Sequence, residues 1–232
     1  MKRLFVLLIS LLLLSGISMA QKVEIRDLEP FSDIVLTGGM NVYMYPADEE
    51  KVEISLEGEV ELEDVITETD KTELKIKIKG NLFGEPEVTV KLYYKTCNSL
   101  EANGAAKVQL TEELKQNHLE LASTSGGFIT GKVNVEHLEA KAYQGAQLEL
   151  SGTAEQLDAY VNTGGVLSAT ELSCEAANMQ MNTGGKAEIT VNKKLTGKVN
   201  TGANFSYFGM PEETDISTSL GGQISAWDEE EK

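Results

Sequence analysis

Three groups of residues in this 232-residue chain have types and spacings that could do chemistry. His118 and His137 each stand one residue before a leucine, in NHLEL and EHLEA, nineteen residues apart. Two imidazoles brought side by side could bind a metal ion or respond to pH, with Glu120 or Glu136 as a further ligand. Two ligands make a weak site, and stacking at a surface corner is the plainer reading. Glu149, Glu171 and Glu188 are the carboxylates a polysaccharide-cleaving site would draw on. Such sites often add Arg or Lys, yet Arg26 is the one arginine after residue 20. The third group is Asn-Thr-Gly-Gly at 162–165, which returns at 182–185 and, as Asn-Thr-Gly-Ala, at 200–203. It lacks the Lys-Ser/Thr of a phosphate loop and opens no helix. A calcium-binding turn would want carboxylates where Val166, Lys186 and Asn204 stand. Two histidines at corners make no Ser/His/Asp arrangement either. No catalytic residue, metal set or cofactor is therefore predicted.

The elements that must position these residues are short strands. The leading turn glycines are Gly104, Gly126, Gly145, Gly164, Gly184, Gly202 and Gly221, at intervals of 22, 19, 19, 20, 18 and 19. Leu100, Leu119, Leu138 and Leu157 give a second beat of nineteen. Between turns the pattern alternates with period 2, the signature of a strand with one buried face. A unit of about 19 residues cannot bury its own apolar face, but stacked units can bury it together. The reading is an all-β protein, a right-handed parallel β-helix (β-solenoid), with regular coils over 100–227. In it, Asn162, Asn182 and Asn200 stack as an outward ladder at one corner, extended by Thr124 and Tyr143. Parity turns Thr163, Thr183 and Thr201 inward, which leaves no outward threonine array of the kind that binds ice. Cys97 and Cys174 fall about four coils apart, on the order of 19 Å, too far for a disulfide. Two buried free thiols are expected.

Residues 1–20 read as a secretory signal peptide: Lys2 and Arg3, the apolar run 4–14, and Ser18 and Ala20 before the cut. The apolar run is short for a membrane span, and no later stretch resembles one. No Cys stands at the cut, which argues against a lipoprotein anchor. Without Lys2 and Arg3 the remaining chain has 18 basic and 37 acidic residues, 18 − 37 = −19. That charge repels phosphate backbones and anionic lipid, so neither nucleic acid nor a membrane surface is an expected partner. Residues 21–99 keep the strand alternation but lose the nineteen-residue beat, so they join the solenoid or cap it. Residues 21–227 are read as one domain, with 228–232 an acidic tail. Tyr207, Phe208 and Trp227, with that tail, are candidates to cover the far end.

The stretch FSDIVLTGGMNVYMYP at 31–46, following a signal peptide and preceding glycine-punctuated strand repeats, resembles the head GIN domain, auto-transporter adhesin family. The family's Gly-Ile-Asn tripeptide corresponds here to Gly39-Met40-Asn41, with methionine in place of isoleucine. The resemblance spans nearly all of 21–232. It implies an exported all-β stack of the kind common in Bacteroidetes-type bacteria, and it brings no catalytic residues. The expected role is a non-enzymatic envelope or surface protein, in the periplasm or on the outer surface. Its expected partner is a glycan or an envelope protein. A polysaccharide-active enzyme and a purely structural component are the alternatives.

Overall fold

The computed structural model describes residues 22–57, 61–79 and 88–227. The expected signal peptide and acidic tail lie outside them. The strands are β1 (Lys22–Asp27), β2 (Asp33–Thr37), β3 (Met40–Pro46), β4 (Lys51–Leu56), β5 (Val65–Asp70), β6 (Glu73–Ile78), β7 (Val88–Tyr94), β8 (Ser99–Asn103) and β9 (Lys107–Leu110). They continue as β10 (Leu114–Thr124), β11 (Phe128–Tyr143), β12 (Gln147–Asn162), β13 (Val166–Met181), β14 (Lys186–Asn200), β15 (Asn204–Phe208), β16 (Glu213–Ser219) and β17 (Gln223–Trp227). All are linked in one sheet. From β8 onward every pairing is parallel, each coil lying on the next. This is the β-solenoid read from the turn spacing.

Two inward ladders hold the stack. Val90, Val42, Val108, Ile129, Leu148, Leu167, Ala187, Phe205 and Ile224 lie in successive register. Leu74, Ile34, Leu100, Leu121, Ala140, Ala159, Met179, Gly197 and Ile216 form the second. All but the last coil's residues and Gly197 belong to the buried core. Each large side chain so buried stabilises the fold by about 1.5–3 kcal/mol. Where coils meet most tightly the residue must be glycine. A Cβ on Gly152 would stand 2.0 Å from the Val133 carbonyl oxygen, and one on Gly197 2.0 Å from that of Met179.

One beat in the sequence is a coincidence. Leu119, Leu138 and Leu157 do stack, but Leu100 pairs with Leu121, not with Leu119. The first regular coil holds 21 residues (Asn103 to Thr124), because β10 begins after an added turn at 111–113.

The N-terminal strands both join the solenoid and cap it. β2 lies between β6 and β8, and β3 between β7 and β9, all parallel. So β2–β3 forms one true coil and β6–β7 another outside it. Antiparallel strands then cover that end: β5 on β6, β4 on β7, and β1 on β4. Arg26 fastens this cover. Its guanidinium donates to the carbonyls of Val65 (2.7 Å) and Leu62 (3.1 Å) and to Thr67 Oγ1 (2.9 Å). At the other end, Phe208 and Trp227 stack at 6.5 Å along one side, and the described part of the last coil stays exposed. The expected aromatic cover over that end is not what these rings provide.

Cys97 and Cys174 are unpaired as thiols and buried, as the coil count predicts. Burial pushes both thiols up to about 12.

Candidate functional site

The corner carrying the repeated tetrapeptide is a four-residue turn. In Asn162–Gly165 the Gly165 N–H donates to the Asn162 carbonyl at 2.9 Å, and Thr163 and Gly164 have φ of 52° and 72°. Thr183 and Thr201 repeat this geometry at 49° and 50°. The left-handed step reverses the parity on which the threonines were read. All three are exposed, not turned inward. Strand parity fails there because a residue at positive φ no longer alternates. The turns also bond to one another: Gly145 N–H donates to Thr163 O, Gly164 to Thr183 O and Gly184 to Thr201 O, at 3.0–3.1 Å.

The residue before each turn forms the predicted ladder. Asn103, Thr124, Tyr143, Asn162, Asn182, Asn200 and Ser219 follow one another from coil to coil and are half-buried, except Ser219, which is exposed. Its two ends are closed by hydrogen bonds. Ser219 Oγ donates to Asn200 Oδ1 (2.7 Å), and Asn200 Nδ2 to Asn182 Oδ1 (3.2 Å). Thr124 Oγ1 donates to Asn103 Oδ1 (2.6 Å). In the middle, Asn162 Oδ1 is buried without a partner. Bracing therefore occupies most of the amides, and Tyr143 is the large side chain among them.

Three further outward columns share this face, and sequence reasoning singled out only His118, His137 and Glu120 among them. One is Ser99, Glu120, Glu139, Asp158, Asn178, Thr196 and Asp215. The next is Glu101, Ala122, Lys141, Tyr160, Gln180, Lys198 and Ser217. The ammonium of Lys141 bridges Glu120 (2.6 Å) and Glu139 (2.9 Å). Partial burial works against its charge, but the two carboxylates win and hold it above the usual lysine range. Tyr160 follows Lys141 in register, one coil on from Tyr143 and two residues along the strand. The signal for these residues was present in the same period-2 alternation that found the asparagines.

The last column brings the histidines together. His118 pairs with His137, their rings edge to face at 4.9 Å. Gln156 follows in register. The carboxylate at hand is Asp158, 2.8 Å from His137 Nε2, and neither Glu120 nor Glu136. Glu120 is taken by Lys141, and Glu136 lines a separate groove with Asn117 and Glu155. No group of three or more His, Cys, Asp or Glu side chains that could hold a metal ion occurs among the described residues. Glu149 and Glu188 share a register across Ser168, two coils apart. Glu149 and Glu171 line an open groove of about 420 Å³ with Lys132 and Thr130.

A second aromatic site lies on the other strand face. Tyr45 and Tyr93 stack at 5.4 Å and 23°, with the Lys51 ammonium 4.9 Å from the Tyr93 ring centre. Tyr43 is on the same face, beside Lys91, which pairs with Glu53 at 2.8 Å. Met40 of the Gly39-Met40-Asn41 tripeptide is fully buried in register with Val88. The Gly38 N–H donates to Asn103 O at 3.1 Å, which docks this first turn on the next coil.

A family model described as "Putative auto-transporter adhesin, head GIN domain" matches residues 30–211. The chain belongs to the head GIN domain family. In this head GIN chain the eponymous tripeptide is a corner of the solenoid: a tight turn, a core side chain, and Asn41 between Thr89 and Lys107 in register. Several solved structures share the fold. A "putative adhesin" from Bacteroides fragilis NCTC 9343 has a TM-score of 0.78 at 15% identity, covering 91% of this chain and 100% of that one. One from Parabacteroides merdae ATCC 43184 scores 0.69 at 17% identity, covering 90% and 97%. A chain from Parabacteroides distasonis ATCC 8503, titled a "putative lipid binding protein", scores 0.64 at 15%, covering 89% and 97%. No curated protein matches the chain. No helix among the described residues is long and apolar enough to cross a membrane.

Proposed function

We propose that this head GIN chain is an exported, non-enzymatic binding module of the cell envelope whose ligand is carbohydrate. The observation that carries the reading is the outward face of β10–β14. There Tyr143 and Tyr160 stand beside Glu139, Asp158, Asn178 and Gln180 on adjoining registers. Sugars are bound by just such mixtures, with a ring face for the C–H side and fixed acceptors and amides for the hydroxyls. The strands hold these groups on a backbone with little freedom, so little ordering is needed on binding. The adhesin wording of the family description supports a surface-module role.

The test is a glycan array probed with residues 21–232, alongside a Tyr143→Ala/Tyr160→Ala variant. Retention of a defined class of glycans by the natural chain is expected, with loss of about tenfold or more in the variant, which loses the apolar area of both rings. Binding to no glycan would sink the reading. Release of oligosaccharides from a polysaccharide panel would replace it with the enzyme reading, for which the Glu149–Glu171 groove is the place to look.

A further inference from the structure

The two ends of this solenoid are built differently. At the N-terminal end, antiparallel strands cover the stack and Arg26 fastens them. Val23 and Ile25 are exposed on β1, but they alternate with Lys22, Glu24, Arg26 and Asp27, the charges that discourage a strand from pairing further. At the other end β16 pairs with β14 along one side only, and its second side carries no strand among the described residues. From Ile216 to Trp227 the sequence ISTSLGGQISAW holds no charge, in a chain with a net charge of −17. Three of the five large exposed hydrophobics among the described residues lie toward this end: Met210 (79%), Leu220 (81%) and Trp227 (44%).

We propose that β16 is a self-pairing edge, and that two copies of this chain join end to end through antiparallel β16–β16 contact. The strand's own sequence fits that partner. Around a twofold axis at Ile216, Glu-Thr-Asp-Ile-Ser-Thr-Ser meets its copy with Ile216 opposite Ile216 and Thr214 opposite Thr218. Those are the inward positions, following Leu195, Gly197 and Val199 in register, so each copy closes the other's open core. On the outward side each acid meets a serine: Glu213 faces Ser219 and Asp215 faces Ser217. Acid never faces acid, so the strand avoids the like-charge opposition that disfavours cross-strand pairs. Backbone donors and acceptors supply the bonds, as in other strand additions, and the result is an isologous dimer.

Sedimentation of residues 21–232 over a micromolar range tests this, with circular dichroism confirming that each variant is folded. A dimer is expected for the natural chain. Ser217→Asp, which sets an aspartate opposite each Asp215 and so makes two like-charge pairs in the dimer, is expected to weaken dimerisation about tenfold. With an added mild oxidant such as oxidised glutathione, Ile216→Cys is expected to form an intermolecular disulfide, because Cα atoms of directly opposed residues lie about 4.5–5.5 Å apart, within the range a disulfide spans. Thr214→Cys, which would face Thr218, is expected to form none. A monomer at all concentrations overturns the proposal. So does a dimer unchanged by Ser217→Asp, or one in which Thr214→Cys cross-links and Ile216→Cys does not.

Discussion

Thr163, Thr183 and Thr201 hold left-handed backbone at three successive corners. That conformation costs a β-branched residue roughly 1–2 kcal/mol, and Asn carries it more readily. Each Thr→Asn change at these positions is therefore expected to raise stability by about 0.5–1 kcal/mol, read as a higher urea midpoint. The opposite is expected at Gly152, where φ is 107° and a Cβ would meet the Val133 carbonyl. Gly152→Ala should destabilise by more than about 1 kcal/mol, since backbone must shift to admit it. Protons act at this scale too. Burial raises the Cys97 and Cys174 thiols and, chiefly by the same cause, the Tyr94 phenol, each to about 12. All three are neutral in the fold and ionise more easily once unfolded. Stability from this source is thus whole below about pH 9 and falls as pH climbs toward 12. A urea midpoint that stays flat across that window would contradict it.

At the scale of the coil, the inward ladders set the energy. Leu167 lies between Leu148 and Ala187 and is 1% exposed. Leu167→Ala should cost about 2–5 kcal/mol, measured by denaturant unfolding. This level was the most legible in the sequence. Turn glycines and period-2 alternation located β10–β17, because identical turns must stack and a half-buried strand must alternate. The outward Asn162–Asn182–Asn200 ladder was legible for the same reason. What the pattern hid has local causes. Thr163 escapes parity because positive φ breaks alternation. Leu100 mimics a beat it does not keep because the turn at 111–113 lengthens its coil. The Tyr45–Tyr93 stack joins residues 48 apart (93 − 45) through a pairing that only the fold reveals. Nor does any local signal say that Asp158, rather than Glu120, reaches His137.

Across the whole molecule, coils touch only their neighbours, so stability follows the position of a coil in the row. β11–β14 are flanked on both sides along their length, while β16 and β17 form an exposed last layer. Hydrogen exchange should be slowest in β11–β14 and fastest in β16–β17, with protection of β16 rising as protein concentration increases if the edges pair. The N-terminal layers carry a different consequence. The first coil along the chain, β2–β3, is not the first in space, because a later coil lies on each side of it. A chain emerging from its N-terminus cannot wind this stack from one end to the other. Winding must start on an inner layer and go outward in both directions, and a shortened form lacking residues 33–46 would lose a middle floor of the building while keeping its roof.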